Sequence, residues 1–69
     1  MRDYHATLAA LTLRDGSTCY LCGQGLDLDD PFEIEHRKPV SAGGLDDLDN
    51  LAIAHRSCNR TKGTKAVSA

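Results

Sequence analysis

The chain has 69 residues, a formal net charge of −2 and three cysteines, with no tryptophan and a single phenylalanine. A chain of this size forms one small domain with a thin core, and such domains often depend on a metal, on disulfides or on a partner for stability. It has neither an apolar run of the roughly 20 residues that a membrane span needs nor a signal-peptide pattern, so we expect a soluble cytoplasmic protein with no membrane partner.

The charged residues are unevenly distributed along the chain. Residues 1–35 carry seven acidic and two basic side chains, whereas residues 55–69 carry four basic side chains and no acidic one. A basic segment is typical of a surface that binds a polyanion, and equally of a solvated helix face. The charge distribution alone leaves both interpretations open.

The N-terminal segment, residues 3–14, is predicted to form a helix. Asp3 can accept hydrogen bonds from the first free backbone N–H groups, and Leu8 and Leu11 recur at helical spacing. Gly16 tolerates the left-handed backbone conformation that commonly ends a helix.

A tight turn is predicted at residues 19–23, CYLCG, where two cysteines stand three positions apart. An odd number of cysteines cannot form a closed disulfide framework, and in a reducing cytosol such a pair is more often a metal or redox motif. A thioredoxin-like redox motif needs a βαβ context for which this chain barely has room. Zinc is therefore the preferred interpretation of the turn, as a zinc knuckle.

Two strands and a helix are predicted for residues 32–63. The first strand alternates apolar and charged residues and is ended by a proline, which cannot donate to a sheet. A long polar loop with two adjacent glycines leads to a second, apolar strand, and a glycine stops the helix that follows. The predicted elements are a strand at 32–36, a strand at 51–54, a helix at 55–62 and a frayed tail at 64–69.

A complete set of zinc ligands follows from the spacing C-x2-C-x32-H-x2-C. Structural zinc takes four ligands from cysteine and histidine, and residues three apart lie on one face of a helix. The predicted ligands are Cys19, Cys22, His55 and Cys58. The alternative, three unrelated cysteines and a solvent-facing histidine, does not account for two ligand pairs with the same short spacing.

Five further segments together resemble the HNH endonuclease family, the zinc-stapled branch of the ββα-metal (His-Me finger) nucleases. They are RDG at 14–16, CYLCG at 19–23, EIEHRKPVSAGG at 33–44, DNL at 49–51 and HRSCNRTKG at 55–63. Each segment alone is a weak signal, whereas their order and spacing together are highly specific. The resemblance implies an α+β fold: a single domain over residues 1–69, with a small ββα-metal finger at 32–63, an N-terminal helix and a structural Cys3His zinc site.

The resemblance also implies a role for each matching residue. His36 matches the general base that takes a proton from the attacking water, and Asn50 matches an asparagine that orients the base. Glu35 and Asn59 match the ligands of a catalytic Mg²⁺ or Mn²⁺ ion, with Glu35 standing where the family usually has aspartate. The second zinc pair also departs from the usual Cys-x2-Cys, since it is His55-x2-Cys58. Basic residues expected to contact nucleic acid are Arg37, Lys38, Arg56, Arg60, Lys62 and Lys65.

The function implied by the resemblance is metal-dependent hydrolysis of DNA phosphodiester bonds, with 5′-phosphate and 3′-hydroxyl products and little sequence preference. One site cuts one strand, so we expect nicking, and double-strand cleavage would need a dimer or a partner. Family habit favours a role in phage genome packaging, in a bacterial or phage-infected host cell. The alternative is a zinc module without catalytic activity that binds nucleic acid or protein.

Overall fold

The structure is a computed structural model that describes residues 3–63. In chain order these residues form α1 (Tyr4–Asp15), β1 (Phe32–His36), β2 (Leu51–His55) and α2 (Arg56–Lys62), with 3-10 turns at Val40–Ala42 and Leu48–Asn50. The α+β fold with an N-terminal helix is thereby confirmed. Among the described residues, no helix has both the length and the apolar character needed to cross a membrane. The predicted tail at 64–69 lies outside the described residues.

The ends of α1 follow from local chemistry. The side chain of Asp3 accepts a hydrogen bond from the backbone N–H of Ala6 at 3.1 Å, which satisfies one of the free donors at the start of the helix. Gly16 has φ 78° and donates its N–H to the carbonyl of Thr12. A residue without a Cβ adopts this conformation without strain, so the helix ends where the sequence predicts.

The sheet is an antiparallel pair in which Ile34 lies opposite Ile53. Because side chains alternate across a strand, each strand presents one face to α1 and the other to α2. The α1 face holds the apolar core, formed by Leu8, Leu11, Phe32, Ile34, Leu51 and Ile53. On the other face of β2 lie Ala52 and Ala54, both fully buried, and alanine lets a helix approach the sheet closely.

The zinc-knuckle segment packs beside β2 as a small turn of its own. Its backbone closes through a bridge between Thr18 and Gly25, and the N–H of Tyr20 donates to the carbonyl of Ile53 at 3.0 Å. The last residue of β2, His55, starts α2 directly, so the helix begins one residue later than predicted. This arrangement brings the knuckle next to the start of α2.

Candidate active site and metal centre

The four predicted zinc ligands form one cluster. The ligand atoms of Cys19, Cys22, His55 and Cys58 all lie within 4.8 Å of one another. A tetrahedral zinc ion with metal–sulfur bonds of about 2.3 Å places its sulfur ligands about 3.8 Å apart, so only small side-chain movements are needed to bind one. The cluster can therefore hold a structural metal, and its ligand chemistry suits zinc.

The orientation of the His55 ring supports this assignment. Its Nε2 lies 2.7 Å from the carbonyl of Gly25, and its Nδ1 lies 3.3 Å from the sulfur of Cys22. Because a carbonyl only accepts hydrogen bonds, Nε2 carries the proton and donates it. Nδ1 then presents its lone pair to the cysteines, as metal-binding histidines usually do when the second ring nitrogen is held by an oxygen.

The cysteines of the cluster differ in how readily they lose a proton. Burial alone would raise the pKa of Cys19, but the backbone N–H groups of His55, Cys22 and Leu21 outweigh it and lower the pKa to about 7. Burial, together with the neighbouring thiols, raises the pKa of Cys58 to about 11. Since metals bind the thiolate, we expect zinc binding at neutral pH to release a larger fraction of a proton from Cys58 than from Cys19.

A second site lies on the other flank of α2, in an open cleft of about 340 Å³. Three of the predicted catalytic residues, Glu35, His36 and Asn59, line it together. A regular strand would point Glu35 and His36 to opposite faces, but β1 ends at His36, so the chain can turn there. Cys58 and Asn59 are consecutive, yet the first borders the metal cluster and the second borders the cleft.

Glu35 is a buried acidic group in the wall of the cleft. Only 7% of the residue is exposed, and its carboxylate accepts hydrogen bonds from the hydroxyl of Tyr20 and from the ammonium of Lys62, the latter at 3.2 Å. Burial raises the pKa of Glu35, although the hydrogen bond and charge of Lys62 act in the opposite direction. Glu35 is thus held from two sides by groups of this chain.

The structure places Lys62 differently from the prediction. Lys62 is 7% exposed, and its ammonium donates to Glu35 and to the carbonyl of His36, the latter at 2.9 Å. Helical spacing correctly places Lys62 on the same side of α2 as Asn59. It does not reveal that the side chain is buried between α2 and β1. Lys62 therefore serves as the counter-ion of Glu35 and is not exposed to a phosphate.

Asn50 joins the two ends of the loop between the strands. Its side-chain oxygen accepts from the N–H of Lys38 at 2.9 Å, and its side-chain nitrogen donates to the carbonyls of Lys38 and Leu45 at 2.9 and 2.8 Å. All three bonds go to the backbone, so Asn50 fastens the segment that follows His36 to the far part of the loop. The role of Asn50 in orienting His36 stays a prediction, and these bonds show only that Asn50 holds the backbone two residues after His36.

Asn59 is held by a residue that the sequence analysis did not identify. Its side-chain nitrogen lies 3.3 Å from Oε1 of Glu33, whose other oxygen lies 3.5 Å from Nε of Arg56. A carboxylate only accepts, so the amide nitrogen must face Glu33. The amide oxygen of Asn59, which is the atom that a cation would bind, does not contact Glu33.

The predicted nucleic-acid contacts differ in exposure. Lys38, Arg56 and Arg60 are exposed, whereas Arg37 is half-buried, with its guanidinium 5.2 Å from the centre of the Tyr20 ring. Lys65 lies outside the described residues. Three of the six predicted basic contacts are therefore exposed on the described surface.

Two contacts of the cleft could not be found from sequence spacing. The Tyr20 hydroxyl reaches Glu35 across 15 residues, and Asp46 Oδ1 lies 2.9 Å from His36 Nε2. In the sequence, Tyr20 is one of two residues between the cysteines of the CYLCG turn. Asp46 is one of several acidic residues in a polar loop. Neither position carries a local signal of its role.

Comparison with known families agrees with this geometry. The family model described as HNH endonuclease matches residues 19–65, about two thirds of the chain. No curated protein and no solved structure gives a significant match. The matched region contains the whole cysteine–histidine cluster and every residue of the cleft. The chain belongs to the HNH endonuclease family.

Proposed function

We propose that this chain is a metal-dependent endonuclease that hydrolyses DNA phosphodiester bonds, with His36 as the general base. The observation that carries the proposal is the single cleft that brings His36, Glu35 and Asn59 together in a chain of this family. Histidine is the side chain that most often serves as a general base in proteins, and as such His36 would accept a proton from the attacking water. Cleavage would leave 5′-phosphate and 3′-hydroxyl ends.

Glu35 and Asn59 are the residues that would hold the catalytic ion, because carboxylate and amide oxygens suit Mg²⁺ and Mn²⁺. When bound, such an ion would stabilise negative charge on the scissile phosphate and the leaving 3′ oxygen. Lys62 holds Glu35 in this structure, so an ion that binds Glu35 replaces part of that contact. Asn50 keeps the segment after His36 in place meanwhile.

DNA would be bound mainly through its backbone. The exposed Lys38, Arg56 and Arg60 can contact phosphates, which gives affinity without sequence preference. Arg37 and Lys65 remain further proposed contacts. We propose that residues 1–69 act as one nuclease domain that nicks one strand, and that a dimer or a partner would be needed to cut both.

The biological setting that we propose is the cytoplasm of a bacterial or phage-infected cell, with phage genome packaging as the process. This proposal rests on the habit of compact HNH proteins and on no particular residue of the chain. A test is co-purification with packaging proteins from infected cells, in parallel with a His36→Ala variant that should retain any such partner.

Plasmid nicking tests the catalytic proposal. Wild type with Mg²⁺ or Mn²⁺ should convert supercoiled plasmid to the open circle, and His36→Ala should lower the rate by about 100-fold or more, since a general base contributes roughly 10²–10⁴-fold. His5→Ala is the matched control, because His5 is exposed on α1, away from the cleft. Zinc content should be equal in all three proteins. A His36→Ala variant that keeps its zinc and cuts as fast as wild type would contradict the proposal.

The alternative function is a zinc module that binds nucleic acid without cutting it. The buried pair of Lys62 and Glu35 favours it, because an ammonium already neutralises the carboxylate that a catalytic ion would need. DNA binding by wild type with no cleavage under any divalent ion would favour this module over the nuclease.

A further inference from the structure

Asp46 contacts the proposed general base directly. Its Oδ1 lies 2.9 Å from Nε2 of His36, and the His36 side chain is 26% exposed. An ionised carboxylate only accepts hydrogen bonds, so Nε2 carries a proton and donates it. In a neutral imidazole, Nδ1 is then the nitrogen with the free lone pair. Within residues 3–63, no hydrogen bond is made to Nδ1 of His36.

The backbone holds Asp46 in this position. Asn50 donates to the carbonyl of Leu45, the residue just before Asp46, and also bonds both backbone groups of Lys38, two residues after His36. A Cβ on Gly44 would lie 1.9 Å from the carbonyl oxygen of Lys38, so the loop and the end of β1 are in close backbone contact. The Asp46–His36 contact is therefore built on a loop with fixed ends.

We infer that Asp46 is a positioning residue for His36, and that Nδ1 of His36 is the atom that accepts the proton from water. The inference rests on the proposed nuclease function. Asp46 keeps the proton on Nε2, turns the ring so that Nδ1 stays available in the cleft, and stabilises the imidazolium that forms when Nδ1 takes the proton. Asn50 supports His36 only indirectly, because it holds the loop that carries Asp46.

The first test is a double-mutant cycle on plasmid nicking. Asp46→Ala should lower kcat by about 10-fold to 100-fold with little change in KM for DNA, and Asp46→Asn, which keeps an acceptor oxygen, should lie between it and wild type. In a His36→Ala background, Asp46→Ala should have no further effect on kcat, because a residue that acts through His36 has nothing left to orient. An equal loss in both backgrounds would overturn the inference.

The matched control is Asp49→Ala. Asp49 is an exposed acid of the same loop, so its removal changes the charge near DNA by the same amount without touching His36. Its kcat should stay within about twofold of wild type. If Asp49→Ala lowers kcat as much as Asp46→Ala does, the effect is one of general charge and the inference fails. Zinc content and circular dichroism should be unchanged in every variant.

The second test does not depend on activity. In the zinc-loaded protein without other divalent ions, long-range ¹H–¹⁵N NMR should show His36 protonated on Nε2, with a low-field Nε2–H signal that Asp49→Ala keeps and Asp46→Ala loses. A wild-type ring protonated on Nδ1 would overturn the inference. A wild type that shows the signal but never cuts DNA would refute the proposed function and, with it, the catalytic part of this inference, while showing that the contact itself exists.

Discussion

Glu35 and Lys62 form a buried ion pair between β1 and α2. Their side chains are 6% and 3% exposed, and the nitrogen and oxygen lie 3.2 Å apart. Removing two charges from water is costly, so such a pair contributes little net stability, whereas removing one partner leaves the other charge buried without compensation. The pair therefore matters most when it is broken.

Replacing Lys62 with methionine tests this pair, because methionine keeps much of the chain length and removes the ammonium. We expect Lys62→Met to lower the free energy of unfolding by about 3 kcal/mol at pH 7. The double variant Glu35→Gln with Lys62→Met should lose clearly less, since no charge is left buried. Urea unfolding of the zinc-loaded proteins measures both values. Equal losses in the single and double variants would show that the pair is not what holds β1 against α2.

The same variant should depend on pH in a predictable direction. Burial already raises the pKa of Glu35 in the folded state, and loss of the Lys62 ammonium raises it further. Between the unfolded and folded pKa values the folded state then binds more protons than the unfolded state, so stability falls as pH rises through this range. The deficit of Lys62→Met relative to wild type should therefore be larger at pH 7 than at pH 5. Arg60→Met, at an exposed position of α2, should show no such trend.

At the scale of elements, the loop between the strands is held to the end of β1 by close backbone packing. A Cβ on Gly44 would lie 1.9 Å from the carbonyl oxygen of Lys38 and 2.9 Å from Nδ2 of Asn50. Neither backbone atoms nor an asparagine engaged in three hydrogen bonds can yield without moving the loop. The missing side chain of Gly44 thus allows the loop to lie close enough to Lys38 for Asn50 to hydrogen-bond the Lys38 backbone.

Gly44→Ala should therefore separate the loop from β1. We expect a loss of about 1–3 kcal/mol, the usual range for overpacking, and a larger proportional loss of nicking activity because Asp46 moves away from His36. Gly43→Ala is the control: Gly43 has φ 90°, so alanine is strained there, but an added Cβ would meet only the end of Lys38 at 3.9 Å. Gly44 itself does not have a positive φ, so its variant tests the close approach alone. If Gly44→Ala loses no more stability and activity than Gly43→Ala, the close approach does not have the effect proposed for it.

The elements themselves were largely predictable because their signals are local. Alternation gives β1, a capping aspartate and a glycine give the ends of α1, and the two short ligand spacings give the cysteine–histidine cluster. The contacts between side chains of the cleft were harder to predict from the sequence. Tyr20 reaches Glu35, and Asp46 reaches His36, only because the knuckle and the loop pack against the same strand end. Sequence spacing predicts the side of α2 on which Lys62 lies, but it does not predict how deeply the side chain is buried.

At the scale of the whole molecule, the apolar core and the metal cluster hold different parts of the chain together. In the part of the chain that the structure describes, the core is one small group of side chains between α1 and the sheet, and its fully buried members are Leu11, Leu51 and Ile53. The cluster joins the knuckle to the start of α2, more than 30 residues later in the chain. A core in a chain this short rarely supplies more than about 3–5 kcal/mol. We therefore expect much of the stability to come from a metal bound at the cluster.

Removal of zinc should consequently unfold the protein. Structural zinc sites bind with apparent free energies of about 10–16 kcal/mol, well above what the core supplies. Treatment with a zinc chelator should abolish the cooperative thermal transition and collapse the amide dispersion in NMR spectra, and Zn²⁺ should restore both whereas Mg²⁺ should not. Cys58→Ser should shift the chelator midpoint to a lower concentration, while Ser57→Ala, beside it but outside the cluster, should not. If the metal-free protein still melts cooperatively near the temperature of the zinc-loaded form, the core alone holds the fold, and the cluster has some other purpose.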